Sequence, residues 1–174
     1  MKELTDERLM AEVAGGRLDN LKILFERHHV HVYNFLYKMS RDRMLSEDIT
    51  QDVFYKLMKY RGSYNGGNFV SWMFTIARNN LKTHYRRNHA DNEDLSVLEY
   101  RVTDNDEEKT EDYSHLQKAL AKLDASDREL LVMNRFQEIK YAELAEITGS
   151  TPGAVKTKVS RALKKLKTVY FENI

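Results

Sequence analysis

The stretch from Tyr141 to Tyr170, YAELAEITGSTPGAVKTKVSRALKKLKTVY, constrains this chain more than any other. Its first half puts Leu144, Ala145 and Ile147 on the core side of a short helix. It stops at Gly149, a residue free to take the left-handed cap conformation. Thr151 offers an N-cap oxygen, and Pro152 falls at the first helical position, where its missing N–H costs nothing. Beyond it Val155, Val159, Ala162, Leu163, Leu166 and Val169 recur by threes and fours as one buried stripe. At roughly 100° per residue, Thr157, Ser160 and Lys164 face away from that stripe, flanked by Lys156 and Arg161. A short helix, a tight turn and a second helix with a basic outer face predict a helix-turn-helix, built to enter a DNA major groove. The plainer alternative is a helical hairpin with a solvated basic face.

Charge along the chain adds a second constraint. The net charge is only +1. Yet residues 1–90 hold 15 Lys/Arg against 10 Asp/Glu, residues 91–112 hold 2 against 10, and residues 113–174 hold 11 against 7. Two basic lobes are therefore joined by an acidic strap of charge −8, and nucleic acid would attract the lobes and repel the strap. The absence of cysteine excludes disulfides, thiolate metal sites and cysteine nucleophiles. No early apolar run reads as a signal peptide and no window is long enough to span a membrane, so a cytoplasmic protein is expected.

One proline and seven glycines leave few breaks, which favours long helices. Leu9, Met10 and Val13 mark a first helix ending at Gly15. Asp19 or Asn20 can cap a second, running through Leu24, Phe25, His28, Val32, Phe35, Leu36 and Met39. His28, His29 and His31 are better read as surface or half-buried side chains than as a metal site, since no acidic residue completes a ligand set. Ser46 is the expected cap of a third helix, with Ile49, Val53, Leu57 and Tyr60 inside. Asp48, Gln51 and Asp52 share its outer face. They make either a solvated acidic first turn or a polar patch for a protein partner.

The loop RGSYNGGN, Arg61 to Asn68, holds Tyr64 as an exposed aromatic. A helix follows from Phe69 to about Arg87, with Phe69, Trp72, Met73, Ile76, Ala77 and Leu81 inside. Arg78, Asn79, Lys82, Thr83, Arg86 and Arg87 lie on its other face. Aromatics, amides and arginines beside a glycine loop suit unpaired bases, and they equally suit a core with a soluble face. Residues 91–112 lack a sustained apolar period and read as a linker. The second lobe, 113–174, opens with Leu116, Ala119, Leu120 and Leu123. Ser126 to Glu129, SDRE, reads as a capping box ahead of Leu130, Leu131, Met133 and Phe136. The fold expected is all-α, with two small helical domains.

Two motifs together resemble a bacterial RNA polymerase sigma factor of the extracytoplasmic-function (ECF) group. SEDITQDVFYKLMKY followed by NFVSWMFTIARNNLKTHYRR is similar to sigma region 2. LDASDRELLVMNRFQEIKYAELAEITGSTPGAVKTKVSRALKKLKTVY is similar to region 4. The resemblance implies that 1–90 binds core polymerase and melts the −10 element, that 91–112 is the flexible linker, and that 113–174 reads the −35 element. It implies Asp48, Gln51 and Asp52 as the contact with the β′ coiled coil, and a further contact with the β flap. It implies Tyr64, Asn65, Asn68, Asn79, Lys82, Thr83, Arg86 and Arg87 at the −10 strand, and Lys156, Thr157, Ser160, Arg161 and Lys164 at −35. It further implies an anti-sigma partner able to hold the protein at the inner membrane, and a monomer when free. No enzyme activity, small-molecule substrate, metal or cofactor is implied. A stand-alone helix-turn-helix regulator is the rival class; it should dimerise, and no heptad seam for that is present. A metal-dependent hydrolase is a third, with scattered ligand spacing against it.

Overall fold

The computed structural model describes residues 3–89 and 111–172, and the helical periodicity is realised there as eight α-helices without a strand. The linker expected at 91–112 lies outside the described residues except for 111 and 112, which already open a helix.

The first lobe holds α1 (Asp6–Ala14), α2 (Asn20–Ser40), α3 (Arg43–Lys59) and α4 (Phe69–His89), with a 3₁₀ turn at Arg61–Ser63. Thr5 caps α1 by accepting from the Arg8 N–H at 3.1 Å. Asp19 makes no side-chain cap; it is itself helical, and backbone bonds of the preceding turn occupy the first donors of α2. Nor does Ser46 cap α3. Arg41 takes a left-handed turn (φ 52°), the chain reverses there, and Asp42 is the extended residue that accepts from Leu45 N–H at 3.1 Å. Ser46 is buried one turn later, its hydroxyl donating to the Asp42 carbonyl at 2.6 Å.

The stripes meet as predicted by their spacing, except that Phe25 and Tyr60, expected inside, are exposed. Met10, Leu24, Phe35, Met39, Val53, Leu57, Phe69, Met73 and Ala77 are fully buried, and Phe35 meets Phe74 edge-on at 5.7 Å. Each large side chain removed from water here contributes about 1.5–3 kcal/mol. The three neighbouring histidines separate. His28 Nε2 lies 2.9 Å from Asp6 Oδ2, His29 stacks on Phe25, and His31 Nδ1 sits 3.2 Å from Gln137 Oε1 in the second lobe.

The second lobe holds α5 (Glu111–Lys122), α6 (Ala125–Leu131), a π turn (Val132–Phe136), α7 (Tyr141–Thr148) and α8 (Pro152–Glu172). The capping box expected at Ser126–Glu129 does not form. Asp124, extended and two residues earlier, accepts from Asp127 N–H at 2.8 Å, which leaves Ser126 inside the helix and frees Glu129.

The lobes pack on one another through α4 and α7, and through the end of α2 against α5, α6 and the π turn. Arg128 pins this junction. Almost fully buried, it donates to the carbonyls of Leu120, Ala121 and Leu123 at 2.9–3.1 Å and to Met39 at 2.9 Å. One guanidinium thus satisfies the orphan C-terminal carbonyls of α5 and of α2, in different lobes. Lys38 Nζ lies 5.1 Å above the Phe136 ring beside it, and burial pushes its pKa down.

Candidate nucleic-acid interface

The turn between α7 and α8 forms from local chemistry alone. Gly149 is left-handed (φ 68°) and its N–H returns to the Ala145 carbonyl. Thr151 Oγ1 accepts from Ala154 N–H at 3.2 Å, and Pro152 begins α8. Val155, Val159 and Ala162 are buried against the rest of the lobe. Lys156, Thr157, Ser160, Arg161 and Lys164 are all exposed on the opposite side. The Thr157 hydroxyl donates to the Gly153 carbonyl at 3.1 Å, leaving its lone pairs outward. Lys165, just off this face, is tied back to Asp127 at 2.9 Å, a bond that raises its pKa. The result is one clear cationic helix face.

On α4 the expected reading face divides. Asn79, Thr83, Arg86 and Arg87 are exposed. Arg78 turns to the second lobe, where its Nε bonds Glu129 Oε1 and its NH1 reaches the Ile147 carbonyl at 3.4 Å. Lys82 is half-buried beside it in a cleft of about 270 Å³ that also holds Tyr85, Arg86, Ser126 and Glu129. Loss of water pushes the Lys82 pKa down, with Arg78 and Arg86 acting in the same direction against Glu129.

The loop before α4 is folded on itself. Tyr64, expected exposed, is half-buried: its ring lies 5.2 Å from Trp72 and its hydroxyl donates to the Gly67 carbonyl at 2.5 Å. Burial raises its pKa, and Glu7 and Asp6 add to this. Asn65 Oδ1 accepts from Gly67 N–H at 3.1 Å across the left-handed Gly66 (φ 85°). Asn68 is committed twice. Its Oδ1 accepts from Ser71 N–H at 2.8 Å, capping α4, and its Nδ2 donates to Glu143 Oε1 of α7 at 3.1 Å. Asn65 stays at the surface; Asn68 does not project freely.

On α3, Asp48 and Gln51 are exposed, while Asp52 is partly engaged. Its Oδ2 accepts from Asn80 Nδ2 at 2.8 Å and lies 3.1 Å from Lys56 Nζ. Beside them an open groove of about 320 Å³ runs between α2 and α3, lined by Phe25, His29, Val30, Tyr33 and Gln51 among others. Phe25 and Val30 are exposed apolar side chains, and helical periodicity counted Phe25 as inward. Glu143 and Arg128 also escaped the sequence reading, and Glu129, read there as half of a capping box, instead pairs with Arg78, 51 residues away.

No helix among the described residues is long and apolar enough to cross a membrane. Two family models match: Sigma-70 region 2 over residues 24–90 and Sigma-70 region 4 over residues 114–166. RNA polymerase sigma factor CarQ of Myxococcus xanthus is 29% identical, covering 91% of this chain and 93% of its own. RNA polymerase sigma factor YlaC of Bacillus subtilis is 27% identical over 86% and 91%. Among solved structures, CnrH in complex with the cytosolic domain of CnrY has the same fold (TM-score 0.78, 21% identity, 97% and 99% covered). The sigma factor RpoE with the anti-sigma factor NepR from Bartonella quintana gives TM-score 0.73 at 25% identity, with 87% and 96% covered.

Proposed function

The chain belongs to the ECF group of RNA polymerase sigma factors, and from that premise we propose that its two lobes divide promoter recognition between duplex and unpaired strand. Region 4 and its flanks, 113–174, read the −35 element as duplex through Lys156, Thr157, Ser160, Arg161 and Lys164. A polar and cationic helix face of this kind can meet base edges and phosphates together. The first lobe, 1–90, takes the melted −10 strand at Asn65, Asn79, Thr83, Arg86 and Arg87, with Tyr64 and Trp72 as the ring platform behind the loop. Lys82 joins them once it is uncovered, and Asn68 shapes the loop by capping α4. Residues 91–112 connect the two readers. The single observation that carries this reading is the exposed face of α8, on a chain that also matches region 2.

Catalysis would belong to the polymerase, and this protein would act as an initiation factor in the cytoplasm. Asp48 and Gln51, with the apolar groove beside them, offer the docking surface for core enzyme, Asp52 being shared with Lys56 and Asn80. The NepR complex supports an anti-sigma partner for this chain as well. A stand-alone regulator leaves the region 2 match without a task.

The test is run-off transcription with added core polymerase on genomic fragments. Discrete transcripts sharing two upstream elements are expected. Asp48→Lys should prevent co-purification with core while the circular dichroism spectrum is kept. No association of the wild-type chain with core polymerase under any condition would overturn the reading.

A further inference from the structure

We propose that Glu7, on the first turn of α1, is a positioning residue for base recognition: it braces the loop before α4 and so holds Asn65 in register for an unpaired base. This rests on the function proposed above and deepens it, naming a residue that sets specificity without touching the strand. A side chain on a loop reads a base when something rigid fixes the loop, since recognition tolerates misplacement of only about 0.5 Å. The bonds of Tyr64 and Asn65 to Gly67 are internal to the loop. They set its shape and leave its place on the lobe open. Arg61 NH1 ties the start of the loop to the Met58 carbonyl of α3 at 2.9 Å. The far end is held by Glu7, whose Oε1 accepts from Phe69 N–H at 3.3 Å across 62 residues of sequence. The other outside hold, Asn68 on Glu143, comes from the second lobe.

Phe69 opens α4, so this bond meets one of the N–H groups that a helix start leaves without a partner. The helix dipole favours a carboxylate there. Asn68 meets a second such donor, the Ser71 N–H. Glu7 is itself firmly seated. α1 buries Leu9, Met10 and Val13, and it packs against the 3₁₀ turn and α4 as well as α2. The neighbouring Asp6 is pinned to α2 by Arg27 at 3.1 Å and His28 at 2.9 Å. The His28 ring lies in turn 5.4 Å from that of Phe69. Asp6 thus spends its charge on two cationic partners. Among the described residues Glu7 forms no ion pair, which leaves its carboxylate to the start of α4. Its charge also reaches Tyr64, where it adds to the effect of burial in raising the phenol pKa.

The experiment uses the full chain, free and in holoenzyme. Trp72 is the only tryptophan, and its ring lies 5.2 Å from that of Tyr64 in the loop. Acrylamide quenching of its fluorescence therefore reports how well the loop is held. Glu7→Ala should raise the quenching constant of the free chain. In run-off transcription by holoenzyme on premelted templates that differ at single −10 bases, it should cut discrimination between best and worst base about threefold. Glu7→Gln keeps the accepting oxygen and should restore most of both. Val13→Ala, at the other end of α1 and fully buried, should lower stability yet leave both readouts at wild-type values. Wild-type quenching or wild-type discrimination in Glu7→Ala overturns the brace, as does an equal shift in Val13→Ala. A wild-type holoenzyme with no −10 base preference overturns the proposed strand-reading function instead, and the quenching comparison then decides the brace by itself.

Discussion

α8 and α4 are both 21-residue helices with an apolar stripe and a cationic opposite side, yet only α8 keeps that side clear. α8 buries Val155, Val159, Ala162 and Leu166, half-buries Leu163, Val169 and Tyr170, and leaves its cationic side to solvent. α4 is engaged on three sides. Phe69, Met73, Ala77 and Leu81 serve the core, Asn80 joins α3 through Asp52 and Lys56, and Arg78 with Lys82 meets the second lobe. Similar periodicity therefore yields an accessible cationic face in one lobe and a partly covered one in the other. The difference lies in what packs nearby, which no property of either helix alone determines.

If α4 is covered because the lobes are docked, they should also melt together. Phe35→Ala, at a fully buried site of the first lobe, is expected to cost about 3–5 kcal/mol in urea unfolding. Far-ultraviolet circular dichroism should show one transition shifted as a whole, and two separate transitions would break the contrast at its root. The next effect belongs to the open face. Arg161→Ala should cost about 1–3 kcal/mol at one −35 base pair if it reads a base edge, measured by competition between promoter variants. Equal losses on every promoter would reduce it to a phosphate contact.

Smaller again is Asn68→Ala. It removes the cap of α4, so about 1 kcal/mol of stability should go, with the ranking of −10 variants unaltered. A changed ranking would make Asn68 a base reader after all. The smallest effect concerns Asp6, which belongs to the first lobe alone. Burial by itself would raise its carboxyl pKa, but His28 at 2.9 Å and Arg27 at 3.1 Å outweigh that and hold it below 3.8. A lowered folded value adds stability above the unfolded pKa and forfeits it as pH falls through the folded one. Asp6→Asn should therefore show a shallower loss of stability on acidification from about pH 5 downward.

Local chemistry was readable where it was self-sufficient. Gly149, Thr151 and Pro152 define their turn within four residues, and every side chain assigned to the outer face of α8 is found there. Caps were readable by type but not by position. Asp42 stands one turn ahead of Ser46, and Asp124 two residues ahead of Ser126. In each case the chain's path, including the left-handed Arg41, selects the earlier oxygen. Tyr64 was misjudged because glycine neighbours suggested an open loop, whereas Trp72 supplies a surface for the ring to cover. Arg78, Glu129 and Asn68 could not be paired from sequence, since their partners are distant in the chain and no periodicity links them.

The outward side of α8 also bears on how such a molecule changes over generations. Lys156, Ser160 and Arg161 are exposed, so under the proposed function replacing them would alter which genes are switched on while folding is left alone. A lineage could then retarget its transcriptional programme there by single substitutions. The crowded sides of α4 allow no such drift, because a change at Arg78 or Asn80 disturbs the architecture as soon as it touches recognition.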